Sequence, residues 1–274
     1  MDNNVLVITG MHRSGTSLLT QWLYKCGLHV GDKFLGAGIG NNDGHYEDID
    51  FYNYHQQVLT EHELPSDGLA PASPLALTTA QRTSLKALLH RKAAGNTQWG
   101  WKDPRTCLFL PFYRETLPNA RYLVILRDYK TVVSSLVQRL YTLHAWKYEQ
   151  SDLITKLIWR YFKKPYRKKK LLKQYCDEHL AVWITYNEAI LKHLQQLPAA
   201  AYMVVEHTKL KTINKEIFDH LSCNWNFDLQ YHDFGTLYKE KLVSEPLDIV
   251  NYVKDPSLLQ KAAEIQYRLL AMAI

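Results

Sequence analysis

At 274 residues the chain is long enough to bury the core of one large α/β domain. With 46% apolar and 22% charged residues its composition is that of an ordinary globular protein, and no apolar run approaches the length needed to cross a bilayer. The formal net charge of +6 favours anionic partners in general: nucleotides, acidic glycans, nucleic acid or a membrane surface.

The opening "MDNNVLVITG" passes from polar residues straight into a β-branched run, Val5 to Thr9, which reads as a buried parallel strand. It leaves no room for a signal peptide, so a cytoplasmic location is expected. "GMHRSGTS", Gly10 to Ser17, follows. Its glycines stand five apart and a serine closes it, as in a Walker A loop, but Thr16 holds the place of the lysine. "TSLLTQWLYKCG" then places apolar residues at helical spacing and stops at Gly27.

Residues 35 to 44, rich in Gly and Asn, read as an irregular loop. "EDIDFYNYHQQVLTEH" reads as helix, residues 64 to 81 as a long connection, and Thr78 or Thr79 as the cap of a helix through "AQRTSLKALLHRKAA". "QWGWK", Gln98 to Lys102, reads as a strand stopping at Asp103-Pro104. "YLVIL", Tyr122 to Leu126, and "YMVVE", Tyr202 to Glu206, complete the set. Between them, about 141 to 197, the chain reads as a mostly helical cap or insertion, broken at Pro165. The last helix starts at Asp255-Pro256. Strands alternating with helices predict an α/β fold, a parallel sheet flanked by helices, in a single domain over 1–274.

Cys26, Cys107, Cys176 and Cys223 lie far apart with no zinc-type spacing, so free thiols are expected and no metal site is signalled. The run "KKPYRKKKLLK", residues 163 to 173, is either a solvated helical face or a docking surface for an anionic surface or acidic ligand.

A strand, glycine loop and helix in succession form a phosphate cradle of backbone N–H groups. Without a Walker lysine the nearest cation is Arg13, which suits a diphosphate-like group with less charge at its far end, such as a phosphosulfate. Here the sequence resembles the sulfotransferases that use 3′-phosphoadenosine 5′-phosphosulfate (PAPS), both bacterial members with an "HRSGTS" loop and the tyrosylprotein enzymes with "PRSGTT". The resemblance implies a P-loop kinase-like α/β fold, PAPS as sulfuryl donor and no metal.

The resemblance also implies roles. It gives Arg13, Ser14, Gly15, Thr16 and Ser17 to the 5′-phosphosulfate loop, and His12 beside them is expected to bind the donor as well. Arg127 and Ser135, eight apart after a strand in "LRDYKTVVSSL", match the family's 3′-phosphate element. Lys102 in "WKDPR" matches the lysine of a "KDP" that assists transfer, with Arg105 expected at the same ligand edge as a substrate contact. Pro104 stands where the cytosolic phenol and steroid sulfotransferases carry a histidine in "KTH", so their base has no counterpart. "NNDGHYEDIDF" resembles the bacterial "GHxE" segment, which makes Glu47 the first choice for base and acceptor contact and His45 the second. His12, Asp48 and Asp50 are further candidates, and Asp103 reads as a cap or orienting residue.

The expected function is transfer of a sulfuryl group from PAPS to an acceptor hydroxyl of a small molecule or glycan, with a carbohydrate or glycolipid favoured by the aromatic and basic middle segment and no nucleic-acid partner. Two alternatives stand beside it: a nucleotide or small-molecule kinase with a degenerate Walker A loop, and a nucleotide-binding module without catalysis.

Overall fold

The computed structural model describes residues 3–36, 44–71, 75–237 and 246–274. Most of the loop predicted over 35–44, and residues 72–74 of the long connection, lie outside that range. Four strands, β1 (Asn4–Thr9), β2 (Gln98–Lys102), β3 (Arg121–Leu126) and β4 (Tyr202–Glu206), form one parallel sheet in the order β2-β1-β3-β4. Each is short, rich in β-branched or aromatic residues and almost wholly buried, as a strand covered on both faces must be.

The two-residue period of β1 divides the core. Val5 and Val7 face one apolar cluster and Leu6 and Ile8 the other. On the first side pack α2 (Ile49–Glu61), α3 (Thr79–Ala93), α4 (Leu110–Thr116), α5 (Tyr129–Glu149), α7 (Lys164–Leu194) and α9 (Pro256–Leu270). On the second pack α1 (Thr16–Lys25) and α8 (Leu210–Asp219). A short helix, α6 (Leu153–Ile158), links α5 to α7.

Local chemistry sets the helix ends. The hydroxyl of Thr78, not Thr79, accepts from Gln81 N at 3.2 Å while Gln81 Oε1 accepts from Thr78 N at 2.9 Å, a reciprocal capping box that starts α3. Gly27 turns out of α1 at φ 100°, and Asp255 caps α9 with Pro256 in its first turn. Pro165 does not break the helical cap as the sequence predicts. It sits in the first turn of α7, directly after a π-helical turn over Trp159–Lys163 that continues α6 into α7. A widened turn tolerates the missing N–H, so the proline shifts the helical register without ending it.

Candidate active site

In an open parallel sheet, ligands meet the carboxyl ends of the strands, and here every strand delivers a polar group to that edge. Lys102 ends β2, the Gly10–Ser17 loop follows β1, Arg127 follows β3 and His207 follows β4. In sheet order the edge therefore reads Lys102, anion loop, Arg127, His207.

The loop is held in a conformation that side chains rarely adopt. Arg13 has φ 69° and Gly15 φ 92°, left-handed values that turn successive N–H groups inward as an anion-binding nest. Gly15 caps α1 without a side-chain hydrogen bond, and the first turn carries no acid. The helix N-terminus is thus positive and offers its first N–H groups to a ligand. Close packing fixes the shape: a Cβ on Gly10 would stand 2.5 Å from Ile125 O. Ser14 and Thr16 are buried, and Ser14 N donates back to Met11 O at 3.1 Å.

The two predicted anion elements meet in one place. Arg13 Nε donates to Ser135 Oγ at 3.0 Å, and Arg127 Nη1 donates to Arg13 O at 2.8 Å. Burial, then repulsion from Arg139 and Arg127, lowers Arg13 to about 10, which still leaves it charged at neutral pH. Two guanidinium groups and a hydroxyl thus come together beside the loop.

A buried ion pair, Lys102 with Glu47, lies beside it. Lys102 is fully buried at the end of β2, and its Nζ donates to Glu47 Oε1 at 2.9 Å, to Ser17 Oγ at 3.3 Å and to His45 O. One ammonium thereby joins the anion loop to the carboxylate. Burial raises the Glu47 carboxyl above its ordinary value and nearby Asp103 adds to this, while the Lys102 charge pulls it down. His45 is lowered to about 4 by burial and by the cations Lys102, Arg139 and Arg13, so its ring is neutral at neutral pH. His12 packs edge-on against Tyr186, with ring centroids 5.7 Å apart, and is pushed down to about 3, mainly by burial. Its Nε2 is buried and has no hydrogen-bond partner among the described residues.

Three predicted candidates are not drawn into this group. Asp48 caps α2, accepting from Asp50 N at 2.8 Å, and Asp48 and Asp50 each lie 2.7 Å from Lys92 Nζ. Arg105 turns inward: Nε and Nη2 grip the Asp103 carboxylate at 3.0 and 2.6 Å, Nη1 donates to Ser66 O, and the guanidinium lies over Tyr52. Asp103 also accepts from Arg105 N and lies 3.0 Å from His55 Nδ1, whose other nitrogen meets Tyr113. This buried network shapes the turn after Lys102.

Two further groups belong to the site. His207 packs on Gly15, where a Cβ would stand 2.4 Å from its ring; its place just after β4 was a signal available in the sequence. Arg139 lies one helical turn beyond Ser135 on α5 and contributes to the fields felt by His12, Arg13 and His45. It is half-buried and makes no hydrogen bond or ion pair with any described residue. Among the described residues no cluster of three or more His, Cys, Asp or Glu is placed to hold a metal ion.

Residues 6–226 match the family model described as "Sulfotransferase family". No curated protein matches the chain. Among solved structures, sulfotransferase STF9 from Mycobacterium avium aligns at TM-score 0.53 with 11% identity, over 96% of this chain and 76% of that one. The sulfotransferase domain from the curacin biosynthetic pathway aligns at TM-score 0.49 with 14% identity, over 98% of each chain. The sulfotransferase from Alicyclobacillus acidocaldarius aligns at TM-score 0.48 with 12% identity, over 98% and 95%.

Proposed function

This chain belongs to the sulfotransferase family, and on that premise we propose that it transfers the sulfuryl group of PAPS to an acceptor hydroxyl, with Glu47 as general base. The observation that carries the reading is the position of the Lys102 ammonium, within hydrogen-bond reach of Ser17 in the anion loop and of Glu47 at once.

The donor set suits such a ligand. A nest of N–H groups backed by Arg13, with Arg127 and Ser135 beside it, supplies cationic and neutral donors for two anionic groups. PAPS, when bound, supplies a sulfuryl group already joined to a phosphate leaving group. Ser14 to Ser17 and Arg13 would hold the 5′ end, and Arg127 with Ser135 the 3′-phosphate. Glu47 accepts the proton of the acceptor hydroxyl at Oε1 or Oε2. Lys102, fixed between loop and base, neutralises negative charge that develops at that point. The 3.3 Å contact of its ammonium with Ser17 Oγ disfavours the magnesium that a Walker A hydroxyl binds, which argues against the kinase alternative.

On the acceptor side, the Arg139 guanidinium, without a partner among the described residues, and the neutral rings of His12 and His45 suit a glycan or glycolipid hydroxyl with an acidic group nearby. All four cysteines are unpaired thiols, in keeping with reaction in the cytoplasm.

Calorimetric titration with adenosine 3′,5′-bisphosphate against ATP with magnesium tests the reading. Binding of the bisphosphate without metal, lost in Arg127→Ala, is the expected result; a preference for ATP with magnesium defeats it.

A further inference from the structure

The segment from α6 through the start of α7 is apolar on its outer side. Leu153, Leu157 and Tyr161 form one i, i+4 row, and Ile154, Ile158 and Phe162 form the row beside it. All six are exposed, with Ile154 at 70% and Phe162 at 73%. Tyr166 extends the patch past the π turn at 72%. Such a face is costly in water unless something covers it.

The segment is nonetheless pinned. On its inner side Trp159 is 1% exposed and stacks on Tyr148 of α5 with centroids 4.4 Å apart and planes at 10°. It is therefore a seated amphipathic element whose apolar side faces outward. No described helix is long and apolar enough to cross a membrane, so the element can lie on a bilayer but not span one.

Charge identifies the occupant. Between Asp152 and Asp177 the chain has nine Lys or Arg and no acid. Lys163, Lys164 and Lys168 to Lys170 are exposed next to these apolar residues in the chain, and Lys163 and Lys168 lie over the rings of Tyr148 and Tyr141 at 5.2 and 5.0 Å. A second copy of the chain would bring the same positive charge against this one, which opposes a symmetric dimer through the patch. Exposed aliphatic side chains also have nothing to gain from nucleic-acid phosphates. An apolar face rimmed by bases is the pattern of a helix that lies in the interface of an anionic bilayer.

We propose that residues 153–173 form a peripheral docking element that inserts its apolar side into the headgroup region of an anionic lipid surface. From Ser135 to Tyr148 along α5 is about 20 Å at the helical rise, so the docked element stands one helix length from the anion loop. The proposal does not depend on the sulfuryl-transfer reading.

The test is co-sedimentation of the full chain with vesicles of phosphatidylcholine alone and of phosphatidylcholine mixed equally with phosphatidylglycerol. Binding to the anionic vesicles only is expected, weakened by salt and by roughly fivefold for each of Lys168, Lys169 and Lys170 changed to Glu. Ile154→Ser with Phe162→Ser should weaken it at least about tenfold. Both variants alter exposed side chains, and an unchanged melting temperature and far-UV circular dichroism spectrum establish that they fold. Three results overturn the proposal: no vesicle binding, binding that ignores the Ser substitutions while responding to salt, or a concentration-dependent dimer that those substitutions dissolve.

Discussion

Lys102 Nζ and Glu47 Oε1 meet at 2.9 Å although 55 positions separate them in the chain, and both side chains are withdrawn from solvent. The pair exists because β2 ends at Lys102 and the segment leading into α2 brings Glu47 to that end. Truncating either partner leaves a buried charge unpaired. Glu47→Gln is the milder change, because the amide keeps the shape and can still accept from the ammonium. With an acceptor in hand, its turnover should fall by about 10²–10⁴, while bisphosphate binding, read by calorimetry, stays within a few fold. Near-normal turnover would remove Glu47 as base.

The pH dependence follows from the same carboxyl. Burial raises Glu47 above its ordinary value, and a base acts only when deprotonated, so kcat/KM should rise with pH along a limb displaced above the usual ~4.3 of glutamate. Stability runs the other way. A raised carboxyl favours the fold fully below its unfolded value, and that contribution is lost as pH rises through the folded one. A pH–rate profile checks the limb, and a limb that moves in His45→Asn transfers the role to His45, whose own value is about 4.

Gly15 is required twice over. Its φ of 92° strains any residue with a Cβ, and that Cβ would stand 2.4 Å from His207. Gly15→Ala should lower the melting temperature and weaken bisphosphate binding by tenfold or more. Adding His207→Gly removes the clash but not the dihedral strain of about 1–2 kcal/mol, so recovery should be partial, as calorimetry of the double variant would register.

Arg139→Ala should leave bisphosphate affinity nearly unchanged and raise KM for acidic acceptors far more than for neutral ones. Initial-rate kinetics on a matched acidic and neutral pair decides it. Equal effects on both acceptors would assign the guanidinium to the donor side.

Asp103→Asn separates scaffold from chemistry. Burial by itself would raise this carboxyl, but the Arg105 charge and hydrogen bonds from Arg105 and His55 hold it well below the carboxylate range. It therefore contributes stability at pH values above its unfolded ~3.9 that is lost as pH falls through the folded value. Breaking one side of the buried Arg105 pair should cost about 3–5 kcal/mol, seen in urea melts at neutral pH. The difference from the parent chain should shrink in acid.

Much of the fold is legible in the sequence. The four strands lie where short β-branched and aromatic runs predict them, because a strand buried on both faces has few other compositions open to it. The glycine turn between β1 and α1 is likewise written in local chain chemistry, since glycines and a helix start are needed within a few residues of each other. The same holds for the caps at Thr78 and Asp255. Pro165 does not break the helix, because the π turn before it depends on how Trp159 packs onto α5, which no local pattern carries.

The sequence by itself therefore determined the sheet, its loop and the kinds of groups at its edge, since each depends on residues near one another in the chain. Only the tertiary structure decided which of those groups share a site. Arg105 and Lys102 stand three apart, yet one faces Asp103 in the interior and the other faces Glu47 and Ser17. Asp48 and Glu47 are adjacent, yet one caps a helix and binds Lys92 while the other meets Lys102. Neighbouring side chains at an element boundary point in different directions, and their partners arrive from distant strands and helices. Burial and pairing, which set the charge behaviour of each group, are thus long-range properties.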